Sequence, residues 1–280
     1  MNAVLKARAA QRDIVLRTRG LGHGGITRLV SPSDIGELIK PFVFLDRFAI
    51  SPSSAPNFGW HPHSGIATLT VLQQGEVEYE ETTGAKGALP AGGVEWMRAG
   101  RGVWHTGKAT GTALTKGFQL WIALPAELEH AANHSRYLTP DEVPDAGPAR
   151  VVLGSYGSAK SPIPAPGGIN YLEVRLDAGE RWTYQPPIEH TVAWIAVSDG
   201  SVRTPESVSA GELAVFEESN GAITFEADGA SRFVLGSAVK HPHELVLGRY
   251  SVHTSRTALI EGESEIQRIG HQLATAGLLR

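Results

Sequence analysis

Two histidines, His61 and His63, stand two residues apart around Pro62, directly ahead of a β-branched apolar run at residues 66–72. On an extended segment residues i and i+2 point to one side. Both imidazoles can therefore converge on one cation, and imidazole suits iron, copper, nickel and zinc. A third histidine, His105, follows the strand and turn expected at 94–102. In a barrel this sets it on a strand beside the first pair. His61, His63 and His105 thus form a candidate three-nitrogen facial set for a metal. A carboxylate commonly completes such a site, but position 107, two residues beyond His105 on the same face, is glycine. Ala67 and Thr68, four and five residues after His63, supply no carboxylate either. Glu76, Glu78, Glu80 and Glu95 lie on nearby strands, and no spacing argument selects one of them. The expected site is three histidines with up to three open positions for water or substrate.

The remaining histidines make weaker patterns. His241-Pro242-His243 repeats the spacing but falls past the last expected strand and reads as solvated loop. His253 is nearby, yet no third ligand stands at a comparable offset. His23, His130, His134, His190 and His271 have no partner pattern and read as surface or hydrogen-bonded core residues. Gly20, Gly22, Gly24 and Gly25 surround His23 and invite a phosphate-loop reading. Residues 26–30 read as a strand rather than a helix start, so a turn is expected there.

The elements that must position these side chains are mostly strands. The 280 residues include 32 Gly and 17 Pro, more than one in six, which calls for many tight turns. Strands are expected at 14–19, 26–30, 66–72, 76–80, 94–97 and 118–124, with an apolar stretch at 40–48 and a loop at 51–56. A helix is expected at 126–136. Residues 141–168 read as a connection with one strand at 151–153. Six strands follow, at 171–176, 181–184, 191–197, 212–217, 222–226 and 231–236. The tail, 243–280, starts extended and turns helix-like at 266–279. Short strands at this spacing indicate a β-sandwich or barrel.

The two halves resemble each other. Gly75, after one apolar run, matches Gly200 after another, and Ala91-Gly92 matches Ala210-Gly211, each pair ahead of a short apolar strand. The expected organisation is an N-terminal barrel at 1–140, a connection at 141–168, a second barrel at 169–242, and a tail at 243–280 packing back on the barrels. Under the glycine match Pro186 and Ile188 fall at the positions of His61 and His63; under the alanine-glycine match Thr224 falls at that of His105. The second unit is therefore expected to be structural, or a lid, without metal.

Composition narrows the function further. Lys plus Arg is 25 against 29 for Asp plus Glu, a formal net charge of -4, so bulk charge does not favour nucleic acid. There is no cysteine, which excludes disulfides, thiolate metal sites and cysteine nucleophiles. No run of eighteen apolar residues marks a membrane span. Residues 1–14 carry Lys6, Arg8, Arg12 and Asp13 without an apolar stretch, so no secretory signal is read there and a cytoplasmic location is expected.

Several motifs together resemble the pirin family, a branch of the cupin superfamily. They are Pro41-Phe42-Val43-Phe44-Leu45-Asp46-Arg47-Phe48, His61-Pro62-His63-Ser64-Gly65, Leu72-Gln73-Gln74-Gly75, Pro90-Ala91-Gly92-Gly93-Val94-Glu95-Trp96-Met97, Ala99-Gly100-Arg101-Gly102-Val103-Trp104-His105 and Gly117-Phe118-Gln119-Leu120-Trp121-Ile122-Ala123-Leu124-Pro125. Together they cover about residues 20–137. The segment Gly248-Arg249-Tyr250-Ser251-Val252-His253-Thr254 is similar to a divergent form of the family's C-terminal part. The resemblance implies an all-β fold of two cupin-type, jelly-roll-like barrels, with a divalent metal only in the first. Iron is the first choice of metal, with nickel, copper, zinc and manganese as alternatives. The family's ligands map onto His61, His63 and His105, and its glutamate maps onto Gly107, a departure. The implied activity is of the quercetin 2,3-dioxygenase type, opening a flavonol ring with O₂, and the missing glutamate removes the most obvious base for it. The alternative is a non-catalytic regulatory protein, or one that binds a small aromatic ligand or a protein partner, whose metal site is degenerate; neither nucleic acid nor membrane is expected as a partner.

Overall fold

The computed structural model describes residues 11–51 and 58–279. Most of the loop expected at 51–56, and most of the N-terminal stretch, lies outside the described residues. The first half contains strands β1 (Ile14–Thr18), β2 (Leu21–His23), β3 (Ile26–Val30), β4 (Phe42–Ile50), β5 (Phe58–His63), β6 (Ile66–Gln74), β7 (Glu76–Glu81), β8 (Lys86–Pro90), β9 (Val94–Ala99), β10 (Val103–Thr110), β11 (Thr115–Ala123) and β12 (His134–Leu138), with a short helix α1 (Ile35–Ile39). The second half adds β13 (Asp145–Ala146), β14 (Ala149–Leu153), β15 (Ser155–Tyr156), β16 (Ala159–Lys160), β17 (Ile169–Leu176), β18 (Arg181–Tyr184), β19 (Val192–Asp199), β20 (Ser201–Thr204), β21 (Glu206–Ser209), β22 (Leu213–Phe216), β23 (Ile223–Ala227) and β24 (Ser231–Ala238). The tail forms a small β25–β26 pair (Val246–Leu247, Val252–His253) and the helix α2 (Arg256–Thr275).

The duplication read from the glycines is present in the topology. One seven-stranded sheet runs β12-β9-β6-β11-β4-β3-β2, and another runs β1-β22-β19-β24-β17-β14-β13. The four-stranded sheets run β5-β10-β7-β8 and β18-β23-β20-β21. Taken position by position, β9 answers to β22, β6 to β19, β11 to β24 and β4 to β17. The pairing is antiparallel throughout the two central ladders. This is an all-β fold of two cupin-type barrels. Strand β6 lies between β9 and β11 and is buried along nearly its whole length, which is why its sequence is a continuous apolar run rather than an alternation. Strand β7 forms the wall of a barrel and alternates instead.

The compact units differ from the expected domain boundaries. The first barrel is made by the described residues of 20–144, 161–166 and 241–279; the second by 11–19, 145–160 and 167–240. Strand β1, expected in the first barrel, pairs with β22 and packs Ile14 against the second core. It takes the edge position that β12 holds against β9 in the first barrel. A five-residue amphipathic strand carries no mark of which sheet edge it will join, because register and partner are set by the edge it meets. Residues 145–160 likewise supply β13 to β16 rather than a plain connection. The tail belongs to the first unit.

Two local expectations fail. Residues 126–136 form no helix: turns occupy 126–131 and β12 follows, hydrogen-bonded along β9 from His134 opposite Arg98 to Leu138 opposite Val94. Tertiary pairing overrides a weak local helix preference here. The tail helix starts at Arg256, ten residues before the expected start, because the Ser255 side chain accepts from the Ala258 amide and caps it. Gly262 and Gly270 are tolerated inside α2 because they are buried packing positions. Among the described residues no helix is long and apolar enough to cross a membrane.

The interior of the second barrel is filled. Trp182, Tyr184, Phe216, Phe225 and Phe233 belong to one buried cluster, and the rings of Phe225 and Phe233 lie 5.0 Å apart. The positions matched to His61 and His63 by the glycines, Pro186 and Ile188, lie beyond β18, and Ile188 is 77% exposed. Within the strands themselves Thr183 faces Thr224 as His61 faces His105. Among the described residues no group of three metal-ligating side chains lies in this barrel.

Candidate metal centre

The first barrel keeps a cavity where the second has aromatic rings. His61 and His63 sit on β5, an edge strand of the four-stranded sheet, the place in a sheet where a proline such as Pro62 is tolerated. His105 on β10 pairs directly with His61, and Val103 with His63. The three rings meet, with centroids 5.1 Å apart for His61–His63, 4.3 Å for His61–His105 and 5.1 Å for His63–His105. One ligand atom from each lies within 4.8 Å of the others. The structure thus brings together all three histidines singled out in the sequence.

Two of the three rings are held from behind. His61 Nδ1 is 2.9 Å from the carbonyl of Gly59, and His63 Nδ1 is 3.0 Å from the carbonyl of Tyr250. A carbonyl only accepts, so both Nδ1 atoms carry the proton and Nε2 is left with a free lone pair. His105 Nδ1 lies 3.7 Å from Glu95 Oε1, and its Nε2 is buried without a hydrogen-bond partner. A buried nitrogen in that state costs about 1–3 kcal/mol unless a ligand satisfies it. Burial lowers the pKa of all three histidines, that of His63 to about 3 with help from neighbouring His61. The rings are therefore neutral at pH 7, the form that ligates a metal. This donor set fits a divalent first-row ion.

Glu95 is the carboxylate that the sequence left unselected. Alternation along β7 already separates it from the others: Val77 and Tyr79 line the cavity, which turns Glu76, Glu78 and Glu80 outward. Glu95 lines the cavity and is buried, and burial raises its pKa to about 7 against the lowering effect of the Thr70 hydrogen bond. Thr70 Oγ1 contacts both Glu95 Oε2 and Gln119 Oε1, but one hydroxyl proton cannot serve two acceptors. Turning the Gln119 amide resolves this: Nε2, otherwise buried and unpartnered, donates to Thr70, and Thr70 donates to Glu95. A second buried carboxylate, Glu81, accepts from Ser135 Oγ at 2.5 Å and from the Tyr137 hydroxyl. Tyr137 in turn stacks on Tyr79 with centroids 3.5 Å apart.

The cavity has a volume of about 250 Å³. Its walls are largely aromatic and aliphatic, among them Phe44, Phe48, Tyr79, Leu89 and Trp121. Phe44 and Trp121 stack at 4.1 Å, and Trp121 meets His63 edge-on at 4.8 Å. Flat apolar walls with a few polar groups at one end suit a small planar aromatic ligand. Gly107 also lines the cavity. Its φ is not in the left-handed region, and a Cβ there would meet Val77 Cγ1 at 3.6 Å and the Glu78 carbonyl oxygen at 3.9 Å, both ordinary contacts. Glycine at 107 is therefore not demanded by the backbone.

The other histidines divide. His241 was expected in solvated loop, yet it is buried and its pKa falls to about 4, chiefly through burial; its amide donates to the Lys40 carbonyl. His190 is a hydrogen-bonded core residue, 3.0 Å from Ser237 Oγ. His130 and His253 gather with Glu129 in a second cluster that sequence spacing did not reveal. Tyr250, whose carbonyl holds His63, also comes from the tail, 187 residues away, and no local pattern announces it.

Comparison with known proteins bears on the same region. The family description "Pirin" matches residues 26–122. A Pseudomonas aeruginosa protein named "Putative quercetin 2,3-dioxygenase PA2418" is 30% identical over 72% of this chain and 76% of its own length. A pirin-like protein of Caulobacter vibrioides is 29% identical over 75% of this chain and 79% of its own length. Among solved structures, a quercetin 2,3-dioxygenase from Acinetobacter baumannii superposes with a TM-score of 0.84 at 22% identity, covering 92% of this chain and 98% of that one. The Escherichia coli pirin YhhW in complex with nickel(II) superposes with a TM-score of 0.65 at 22% identity, covering 82% and 99%.

Proposed function

Since this chain belongs to the pirin family, we propose that its first barrel holds one divalent first-row metal on His61, His63 and His105 and acts on a planar hydroxyaromatic compound with quercetin 2,3-dioxygenase-type chemistry. The observation that carries this reading is three neutral imidazoles, two with Nδ1 fixed by carbonyls and the third with a buried orphan Nε2, at the end of an aromatic cavity. Iron is the metal proposed, with nickel next because one relative's structure contains it. When bound, such an ion supplies Lewis-acid stabilisation for an ionised phenolic oxygen and redox contact with dioxygen. The protein's own residues do the rest. Phe44 and Trp121, stacked on each other, close one side of the cavity with apolar carbon, and Glu95 places a carboxyl group 3.7 Å from His105 Nδ1. The low-dielectric walls exclude water from the reacting end.

Gly107 favours a second reading, in which the same cavity binds a small aromatic ligand, or serves a protein partner, without turnover. Quercetin loss under O₂ and quercetin affinity, measured together in wild type and His105→Ala, separate the two. Metal-dependent loss that disappears in the variant supports the enzyme. Quercetin binding without loss, with or without metal, supports the second reading. Metal content unchanged in His105→Ala together with no quercetin binding by either protein would refute both.

A further inference from the structure

Glu129 and His130 stand in the turn after β11, His253 ends β26, and Glu261 lies in the first half of α2. One ligand atom each from Glu129, His130 and His253 lies within 4.8 Å of the others. His253 Nδ1 is 3.3 Å from Glu129 Oε2, and His130 Nε2 is 3.5 Å from Glu261 Oε2. The two imidazoles are nearly parallel, with centroids 5.5 Å apart. Glu129 is 3% exposed and His253 2%. Both nitrogens that face carboxylates, His253 Nδ1 and His130 Nε2, are buried and make no hydrogen bond of acceptable geometry.

Proton counting sharpens this. Where Ser64 Oγ donates its single proton to Ser251 Oγ, at 2.9 Å, the 3.0 Å contact between Ser64 Oγ and His253 Nε2 is made with the imidazole as donor. That tautomer leaves a lone pair on His253 Nδ1 pointing at the Glu129 carboxylate. In the other, Ser64 donates to Nε2 and the Nδ1 proton points at Glu129. In the first, a lone pair faces a carboxylate, and a cation placed between them relieves the repulsion. A proton is one such cation, but burial lowers the proton affinity of this ring. Thr254 occupies one lone pair on each Glu129 oxygen, through its amide and its hydroxyl, both at 2.8 Å, and leaves others free.

We infer that Glu129, His130 and His253, joined by Glu261, form a second divalent-cation site that clamps the C-terminal tail to the first barrel. Two imidazoles and two carboxylates from three separate segments make an N₂O₂ set, donor types that Zn²⁺ takes in fourfold coordination. An open cavity of about 300 Å³ is lined by His130, Glu261 and Glu265. Arg101 lines that cavity and opposes a cation, but its Nε is spent on the His130 carbonyl, and Glu129 and Glu261 outweigh its charge. Gly262 explains how α2 comes so close: a Cβ there would lie 2.5 Å from His253 Nε2 and 2.7 Å from Ser64 Oγ. The consequence reaches the first site, because the tail braced by the clamp carries the Tyr250 carbonyl that holds His63.

The test uses the full chain stripped with chelator, Zn²⁺ as probe, and equilibrium dialysis with elemental analysis. His130 is partly exposed, so His130→Ala removes a ligand without opening a core. Whatever the first site binds, His130→Ala should lose one equivalent relative to wild type, and Glu261→Gln should weaken that equivalent at least tenfold. A variant lacking His61, His63 and His105 should still bind one Zn²⁺ and gain thermal stability from it, and adding His130→Ala should abolish both. Zn²⁺ binding and Zn²⁺-dependent stability unaltered by His130→Ala in the wild-type background would overturn the site and leave a proton between His253 and Glu129. Failure of the quercetin assay would leave these outcomes untouched.

Discussion

Replacing Gly107 by glutamate should convert the three-histidine centre into a four-ligand one. Along the unbroken β10–β7 ladder His105 pairs with Glu81 and Gly107 with Tyr79, so both residues face the same side, and Gly107 lines the cavity. The nearest atoms to a new Cβ are 3.6 Å and 3.9 Å away, so the side chain enters without displacing backbone. At an effective dielectric of ~20, unit charges ~4 Å apart attract by about 4 kcal/mol, and a carboxylate facing a divalent ion by about 8. Ordering the side chain costs about 2 kcal/mol, and desolvating the carboxylate costs several more. A net gain of about 2 kcal/mol remains, or roughly 30-fold in affinity. The assay is a competition titration of the stripped protein with a chromogenic chelator at fixed pH, comparing wild type, Gly107→Glu and Gly107→Gln. The glutamine variant carries the bulk without the charge. Affinity of the glutamate variant equal to or below that of glutamine would refute the reasoning, since it would show that position 107 is not a vacant ligand position.

Other perturbations test the neighbouring parts. Glu95→Gln should lower metal affinity at the three-histidine site about tenfold by removing the carboxyl group that lies 3.7 Å from His105 Nδ1, read in the same titration. Acid should destabilise the metal-free protein. The folded pKa of His63 is depressed to about 3 from 6.5, so above pH 6.5 the ring is neutral in both states. As pH falls below that, the unfolded chain takes up a proton that the folded chain refuses. His63 alone then removes about 3 kcal/mol by pH 4, and urea unfolding of wild type against His63→Leu between pH 7 and pH 4 measures it; parallel pH curves would contradict the assignment. Phe225→Ala should destabilise the second barrel by about 3–5 kcal/mol by opening a cavity in its core, with metal affinity at the first site unchanged under native conditions. A loss of metal affinity in that variant would tie the site to the second core.

Much of this protein was legible in the chain alone. The His-x-His spacing on an extended segment, with His105 one strand over, depends only on the two-residue period of β structure, and that period survives any arrangement of the sheets. The abundance of turn residues dictated short strands, and the repeated glycines after apolar runs marked two equivalent units. That position 107 faces the cavity on the same side as His105 was likewise a matter of parity. Tertiary structure decided the rest, wherever the answer depended on which edge or face met which. Strand β1 carries the alternation of any edge strand, and only its pairing with β22 assigns it to the second barrel. Residues 126–136 have no strong preference of their own, and the open edge of β9 made their second half a strand. Glu95 became the partner of His105 because β9 and β10 belong to different sheets that face the same cavity, a relation with no counterpart in sequence spacing. Ser64 and His253 are 189 residues apart and meet only because α2 presents a glycine where they touch. Local periodicity sets which side of an element a residue faces; what stands opposite that side is set by packing, which no single stretch of chain contains.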